Sequence, residues 1–334
     1  MKRVTMADVA KEAGVSKSTV SQFLNGRFEY MSEDTKKKIE QAVRELSYSP
    51  NVIARSLKQK RTSMIGIIVA NIVHGISTEV CQAIEDYCQK KDIHAIVCNA
   101  YDDPEKEKKY IDMLRARQVD GLIVFPSGGN KELYRQLERE QYPIVFVDRK
   151  IDDVNVSTII VDNRRAMHRA VEHLIERNHR SIALVTPPVT AYTRRERFEG
   201  YIEALKENGL PFQEKNAKSA AYEAIVPALT HMFSEDPPTA LIAANDLSFM
   251  EVMKFAKEKR LKIGTDLAVI VFDNIKFADI YEPAITTISQ PAYEMGTKAA
   301  ELLLQQIAKE PADPHTHILE TKLIVRESSN RVFS

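Results

Sequence analysis

Val4-Thr5-Met6-Ala7-Asp8-Val9-Ala10-Lys11-Glu12-Ala13-Gly14-Val15-Ser16-Lys17-Ser18-Thr19-Val20-Ser21-Gln22-Phe23-Leu24-Asn25-Gly26 is the stretch on which the fold of this chain turns. Thr5, followed three residues later by Asp8, is a helix-start signal, and Gly14 breaks the pattern after Ala13. Ser16 caps a second helix that runs to Asn25. Ser32, followed by Glu33 and Asp34 and then by Lys36, Lys37 and Lys38, starts a third whose charges complement the helix dipole. Apolar residues recur at helical spacing as Val9, Ala10 and Ala13, then Val20, Phe23 and Leu24, then Ile39, Val43 and Leu46. Three short helices around one small core are predicted for residues 1–47.

A three-helix cap pattern by itself fits any small helical domain, but in a helix-turn-helix the second helix lies in the DNA major groove with its N-terminal side chains at base edges. Those positions are Lys17, Ser18 and Gln22. Thr19, Ser21 and Asn25 offer short polar groups of the type that fix phosphates, and the cap residues Thr5 and Ser16 complete the candidate set. The alternative for Lys17 and Gln22 is a solvated helix face. Charge favours a polyanion, because Met1 to Thr62 holds 13 Lys and Arg against 7 Asp and Glu, while the remainder holds 34 against 40.

From Met64 onward the pattern changes to short β-branched runs, such as Ile65 to Ala70, Gly121 to Phe125, Ile144 to Val147, Ile182 to Val185, Leu241 to Ala244 and Leu267 to Phe272. Amphipathic stretches separate them. Such runs suit strands buried on both faces of parallel sheets, and the alternation is that of doubly wound α/β folds. Two α/β lobes with a cleft between them are expected. The boundaries are 48–62 for a hinge helix and linker, 63–160 plus 291–323 for the first lobe, and 161–290 plus 324–330 for the second. Ile318 to Val325 is read as a single terminal strand.

The opening string resembles the headpiece of the LacI/GalR family of transcription regulators almost position for position, and Ser47-Tyr48-Ser49-Pro50-Asn51-Val52-Ile53-Ala54-Arg55-Ser56-Leu57 is similar to that family's hinge. The resemblance implies a short helix that enters the minor groove and wedges a leucine between base pairs. Leu57 is the matching residue, with Ala54, Arg55 and Lys58 beside it, and an apolar wedge is how minor-groove proteins kink a duplex. The family often carries Arg where this chain has Gln22. Arg reads guanine and Gln reads adenine, so the operator half-site is expected to depart from the family's at that base.

The likeness continues through Val147-Asp148-Arg149, Val161-Asp162-Asn163, Arg197-x-x-Gly200-Tyr201, Ala244-Asn245-Asp246, Phe272-Asp273-Asn274 and Ser289-Gln290-Pro291. It implies an effector domain of the periplasmic-binding-protein type, with Arg197, Asn245 and Asp273 on the ligand and Arg149 and Gln290 as further candidates. The polar pairs of these motifs sit just after predicted strands, where open α/β sheets bind ligands. The alternatives are helix caps for Asn245 and Asp273 and a surface ion pair for Arg197. After the first strand many members have Asn-Pro-Phe-Phe, whereas this chain has Asn71-Ile72-Val73-His74-Gly75-Ile76 and no aromatic platform. Together with Arg194 and Arg195 this points to a polar, anionic effector, and Tyr30-Met31-Ser32 adds a resemblance to regulators of ketodeoxygluconate or related sugar-acid catabolism.

No Gly-x-Ser-x-Gly, phosphate-binding loop, dinucleotide fingerprint or metal-ligand spacing is present, so an enzyme is not expected, nor a cofactor or metal. Asp102-Asp103 and Asp152-Asp153 read as turn residues. Cys81, Cys88 and Cys98 have no paired spacing and read as buried thiols. No membrane span and no export signal are apparent, which points to a cytoplasmic, nucleoid-associated bacterial protein. The expected partners are double-stranded operator DNA, a sugar or sugar-acid effector and a second copy of the chain, with the effector relieving repression of a carbohydrate-catabolic operon. A sugar-binding module with no DNA role is the rival, against which the basic headpiece and hinge argue.

Overall fold

The computed structural model describes residues 4–29, 31–48, 61–310 and 314–330. The chain forms two compact units, Met1–Thr62 and Ser63–Ser334. In the first, α1 (Met6–Glu12), α2 (Lys17–Leu24) and α3 (Glu33–Glu45) enclose Val9, Ala10, Ala13, Val20, Ile39 and Ala42. Gly14 turns the chain between α1 and α2 at φ 65°, a left-handed conformation that glycine adopts without a Cβ penalty. The Ser16 and Ser32 hydroxyls accept from the backbone N–H groups of Thr19 and Thr35 at 3.1 and 3.2 Å, which satisfies donors left open at the helix starts. The hinge positions Ala54, Arg55, Leu57 and Lys58 lie outside the described residues.

Among the described residues the second unit holds twelve strands, namely β1 (Met64–Val69), β2 (His94–Asn99), β3 (Gly121–Val124), β4 (Ile144–Val147), β5 (Ser157–Val161), β6 (Ile182–Thr186), β7 (Ala217–Ser219), β8 (Ala240–Ala243), β9 (Ala268–Phe272), β10 (Thr286–Ser289), β11 (Thr316–Leu319) and β12 (Lys322–Ile324). They form two six-stranded sheets, ordered β11-β5-β4-β3-β1-β2 and β12-β10-β9-β8-β6-β7. All pairings are parallel except β10 with β12. The two orders correspond strand for strand, so each lobe repeats the other's plan.

Alternating side chains cover both faces of each sheet, as the period-2 geometry of strands requires. Ile65, Ile67 and Val69 pack with Val80, Ile84 and Cys88 of helix Gly75–Gln89 on one face of the first sheet, while Ile68, Leu122 and Phe146 pack with Ile111 and Leu114 on the other. In the second lobe Ile182, Leu184, Ile270 and Phe272 take one face and Ala183, Val185, Val269 and Val271 the opposite one. Continuous apolar runs are the signature of this double coverage.

The chain passes between lobes three times. After β5 it enters helix Asn163–Glu176, which packs on helix Tyr192–Glu207 in the second lobe, and after β10 it enters helix Ala292–Ala308, which packs on helix Gly75–Gln89 in the first. The third passage corrects the expectation of one strand over Ile318 to Val325. β11 pairs with β5 in the first sheet and β12 with β10 in the second, so the segment changes sheets at Glu320 and Thr321. Thr321 anchors that passage, its backbone N–H and its hydroxyl both donating to the Asp162 carboxylate at 2.8 Å. The same carboxylate lies 2.9 Å from Arg169. No helix among the described residues is long and apolar enough to cross a membrane.

Candidate functional site

On α2, Lys17, Ser18, Ser21, Gln22 and Asn25 fall on one face, because residues four apart stack along a helix. Ser16, Lys17, Ser18, Gln22 and Asn25 are exposed and Thr19 and Ser21 half-buried, while Val20 on the other side is fully buried. The short polar groups are held in place by one another. Ser16 Oγ lies 2.6 Å from Ser18 Oγ and 2.8 Å from Thr19 Oγ1, and Asn25 Nδ2 donates to the Ser21 carbonyl at 2.6 Å. Thr5, exposed at the start of α1, donates its backbone N–H and its hydroxyl to Asp8 at 2.8 and 2.7 Å. The face therefore offers an ordered row of short polar groups together with the longer, exposed Lys17 and Gln22.

The second candidate site lies at the carboxyl ends of the strands of both lobes. Asp148 and Asp273 follow the corresponding strands β4 and β9, and both adopt positive φ, 68° and 116°. Their backbone N–H groups donate in the same way, Asp148 to Ile159 at 2.8 Å and Asp273 to Ile288 at 3.1 Å. Two non-glycine residues in this sparsely populated region, at matching places, mark a demand on side-chain direction that overrides backbone preference.

Arg197, 5% exposed, projects from helix Tyr192–Glu207 with its guanidinium 3.5 Å over the Phe272 ring. It donates through Nε to Asn163 Oδ1 at 2.8 Å and through Nη1 to the Ala244 carbonyl at 2.7 Å, and Asp273 lies 4.0 Å away. Burial draws its pKa below the ordinary arginine value even though Asp273 and Asp148 oppose that shift. It is thus a buried, oriented guanidinium and not a surface ion pair. Burial also pushes the Asp273 carboxyl up to about 7, against the pull of Arg197. Gln290 Nε2 donates to Asp273 Oδ1, and the Asp246 backbone N–H donates to Asp273 Oδ2 at 3.2 Å. Asn245 fulfils the helix-cap alternative, since its Oδ1 accepts from Ser248 N–H at 2.8 Å, yet its Nδ2 also donates to the Tyr222 hydroxyl at 3.0 Å.

Arg149, also 5% exposed, is the first lobe's contribution. Its Nη1 donates to Asp102 Oδ1 at 2.6 Å, and Arg194 of the second lobe donates through Nη2 to Asp102 Oδ2 at 2.8 Å. Burial works against charge at Arg149, but the carboxylates of Asp102 and Asp148 outweigh it and raise the pKa. At Asp102 burial is likewise outweighed, here by the two guanidiniums, and the pKa is lowered. Reading Asp102 as a turn residue is therefore half of the account. Asp103 does cap helix Pro104–Ala116, accepting from Glu105 N–H at 2.9 Å, while Asp102 reaches across the cleft.

A second bridge joins the lobes at His74. Its Nδ1 lies 2.6 Å from Asp246 Oδ1, and the Gly75 N–H donates to Asp246 Oδ2 at 3.0 Å. Burial disfavours the imidazolium, but the hydrogen bond and charge of Asp246 prevail and raise the His74 pKa. The donor atoms of His74, Asp246 and Asp273 lie within 4.8 Å of one another, the grouping among the described residues with which an ion could be shared, although His74 and Asp246 already occupy each other. Asn274 adds a third bridge, donating to Glu79 at 3.3 Å.

The structure thus links Arg197, Asp273 and Gln290, places Asn245 between Ala244 and Asp246, whose backbone groups bond Arg197 and Asp273, and sets Arg149 with Asp102 and Arg194. Sequence reasoning missed Asp102, His74, Asp246, Asn163 and Tyr222 as members. The strand-end rule could have found four of them, because His74, Asp102, Asn163 and Asp246 each follow a predicted strand by a few residues. A cavity of about 840 Å³ elsewhere in the second lobe, lined by Met253, Lys257, Leu261, Tyr281 and Pro283 among others, includes none of these residues.

A three-helix unit with an exposed polar face on its second helix, followed by paired α/β lobes with polar strand ends, fits the class of DNA-binding regulators that carry a small-molecule cleft. The chain belongs to the LacI family. Its residues 5–51 match the family model described as bacterial regulatory proteins, lacI family, and residues 62–327 match periplasmic binding proteins and sugar binding domain of LacI family. It is 48% identical over 313 residues to the "Probable HTH-type transcriptional regulator EndR" of Paenibacillus polymyxa, covering 92% of each chain. It is 34% identical over 331 residues to the HTH-type transcriptional regulator KdgR of Bacillus subtilis (strain 168), covering 97% of each. The crystal structure of the lac repressor dimer bound to operator and the anti-inducer ONPF superposes with a TM-score of 0.87 at 27% identity, covering 99% of this chain and 100% of that one. The protein is a transcriptional regulator and not an enzyme.

Proposed function

We propose that this protein represses a carbohydrate-catabolic operon as a homodimer on a two-fold-related operator, and that a sugar acid of the ketodeoxygluconate type bound between the lobes releases it. The observation that carries the reading is the convergence of charged and amide side chains from both lobes on one cleft. Arg149 and Asp102 come from the first lobe, Arg194, Arg197, Asn245 and Asp273 from the second. Carboxylates, amides and guanidiniums in this density suit a ligand rich in hydroxyls and carboxyl oxygens. Arg197, Asn245, Asp273, Gln290 and Arg149 are assigned to the effector. Thr5, Ser16, Lys17, Ser18, Thr19, Ser21, Gln22 and Asn25 are assigned to DNA, together with the hinge residues Ala54, Arg55, Leu57 and Lys58. In the cell this is a cytoplasmic protein that sits on the nucleoid while it holds its operator.

The linkage is a two-state one. Three polar bridges hold the lobes together, through His74, Asn274 and Asp102, and a ligand with its own bonds to these groups alters which lobe arrangement is favoured. Duplexes selected from a random library supply the operator, and a gel shift with hexoses, hexuronates and a 2-keto-3-deoxy sugar acid then tests the reading. Release by the sugar acid at concentrations that leave the complex intact with neutral hexoses is the expected result. A complex that every member of the panel leaves unchanged, or that the sugar acid tightens, would overturn it.

A further inference from the structure

The loop that carries Asp102 is built to deliver a carboxylate to one place. Tyr101 and Asp102 are consecutive left-handed residues, φ 57° and 55°, an arrangement costly for side chains with a Cβ. The Asp102 N–H donates to the Ala70 carbonyl at 2.8 Å, and Asp103 is fixed as a helix cap, so the loop is pinned on both sides of the strain. The Asp102 carboxylate thereby fills the space between two guanidiniums from opposite lobes, one oxygen for Arg149 and one for Arg194. Arg149 Nε, in a side chain only 7% exposed, has no hydrogen-bond partner and stands 3.5 Å from Asp148. One donor of the buried fork is therefore still available to an acceptor of better geometry.

We propose that the Arg149 and Arg194 guanidiniums are the cleft's receptor for an effector carboxylate, and that Asp102 is its internal occupant, displaced when a carboxylated ligand binds. The inference rests on the cleft being the effector site. The exchange is neutral in charge, because one carboxylate replaces another between the same two cations and the freed Asp102, already 29% exposed, turns to water. A neutral sugar supplies only hydroxyls, whose hydrogen bonds to a guanidinium are weaker than those of an ionised acceptor, and leaves Asp102 in place. Asp102 thus sets a threshold that acids cross and their parent sugars do not.

Full-length Asp102→Gly and Asp102→Ala proteins test this by rescue. Either change opens a carboxylate-sized space between the guanidiniums, and glycine also relieves the left-handed backbone. Sodium acetate at about 100 mM, compared with sodium chloride at equal ionic strength, is expected to raise the melting temperature of these variants by ~2–5 °C. Wild type and the double variant Asp102→Gly/Arg194→Met are expected to show no acetate-specific rise. Absence of rescue in both single variants, or rescue that survives loss of Arg194, would make Asp102 a fixed interlobe strut and overturn the proposal. A wild-type protein released from its operator by neutral sugars and not by their acids would also overturn it, while leaving an effector-gated regulator intact.

Discussion

Gln22 is the residue proposed to read a base of the operator half-site through a single exposed side chain. It shares the α2 face with Lys17 and Ser18, and its neighbours are tied to one another by short hydrogen bonds, so its reach is defined by a rigid turn. A glutamine amide pairs with the edge of adenine and an arginine fork with that of guanine, a discrimination worth about 1–3 kcal/mol. Gln22→Arg is expected to move the preferred base at one half-site position from adenine to guanine by about tenfold or more, read by sequencing bound duplexes. An unchanged profile would remove Gln22 from the reading set. In the cleft, motifs carried the choice of Arg197 and Asp273, and Asp273 lies directly after the strand Ala268–Phe272 as its motif implied. That Arg197 would be buried over Phe272, or that Asn245 would cap a helix and meet Tyr222 with the same amide, follows from distances that no local pattern contains.

At the scale of elements, the two lobes solve the same packing problem in the same way. Each places its first crossover helix against the helix that arrives from the other lobe, and each has a glycine at the crossing. A Cβ on Gly296 of helix Ala292–Ala308 would come within 2.5 Å of the Val80 carbonyl oxygen and 2.7 Å of Ala83 Cβ. One on Gly200 of helix Tyr192–Glu207 would come within 2.7 Å of Arg164 Cα. Both neighbours include backbone, which yields less readily than a flexible side chain. Gly296→Val is expected to destabilise the protein by about 1–3 kcal/mol, as overpacking does, and to lower its melting temperature without altering the fold seen by circular dichroism. A variant as stable as wild type would show that the helices separate freely. The periodicity of these helices was evident in the chain. Their pairing was not, because helices Gly75–Gln89 and Ala292–Ala308 are distant in sequence and meet only after the chain has passed through the other lobe.

For the whole molecule, stability is linked to protonation at the His74–Asp246 bridge between the lobes. His74 has a raised pKa in the fold, so the stability it contributes is complete below the unfolded value near 6.5 and is lost as pH rises through the folded value. Asp246 has a lowered pKa, so its contribution holds above the unfolded value near 3.8 and is lost only as pH falls through the folded one. Asp273, pushed up to about 7, carries a burial penalty that eases as pH falls toward its unfolded value. His74 and Asp273 thus both add stability as pH falls from 8 to 6.5, a window in which the contribution of Asp246 does not change. His74→Asn is expected to shrink that gain, measured as the difference in melting temperature between the two pH values, and an unaltered difference would exclude the imidazole as its source. Composition, caps and apolar period determined the three-helix unit, the α/β alternation and the two-lobed plan, because each depends on spacing within a few turns of the chain. The tertiary structure alone decided that Ile318 to Val325 breaks into two strands at Glu320 and Thr321 and that Asp102 joins Arg149 to Arg194 across the lobes. Both outcomes rest on contacts between segments far apart in sequence, where the partner of a charge or a strand edge is chosen by three-dimensional proximity and not by its neighbours along the chain.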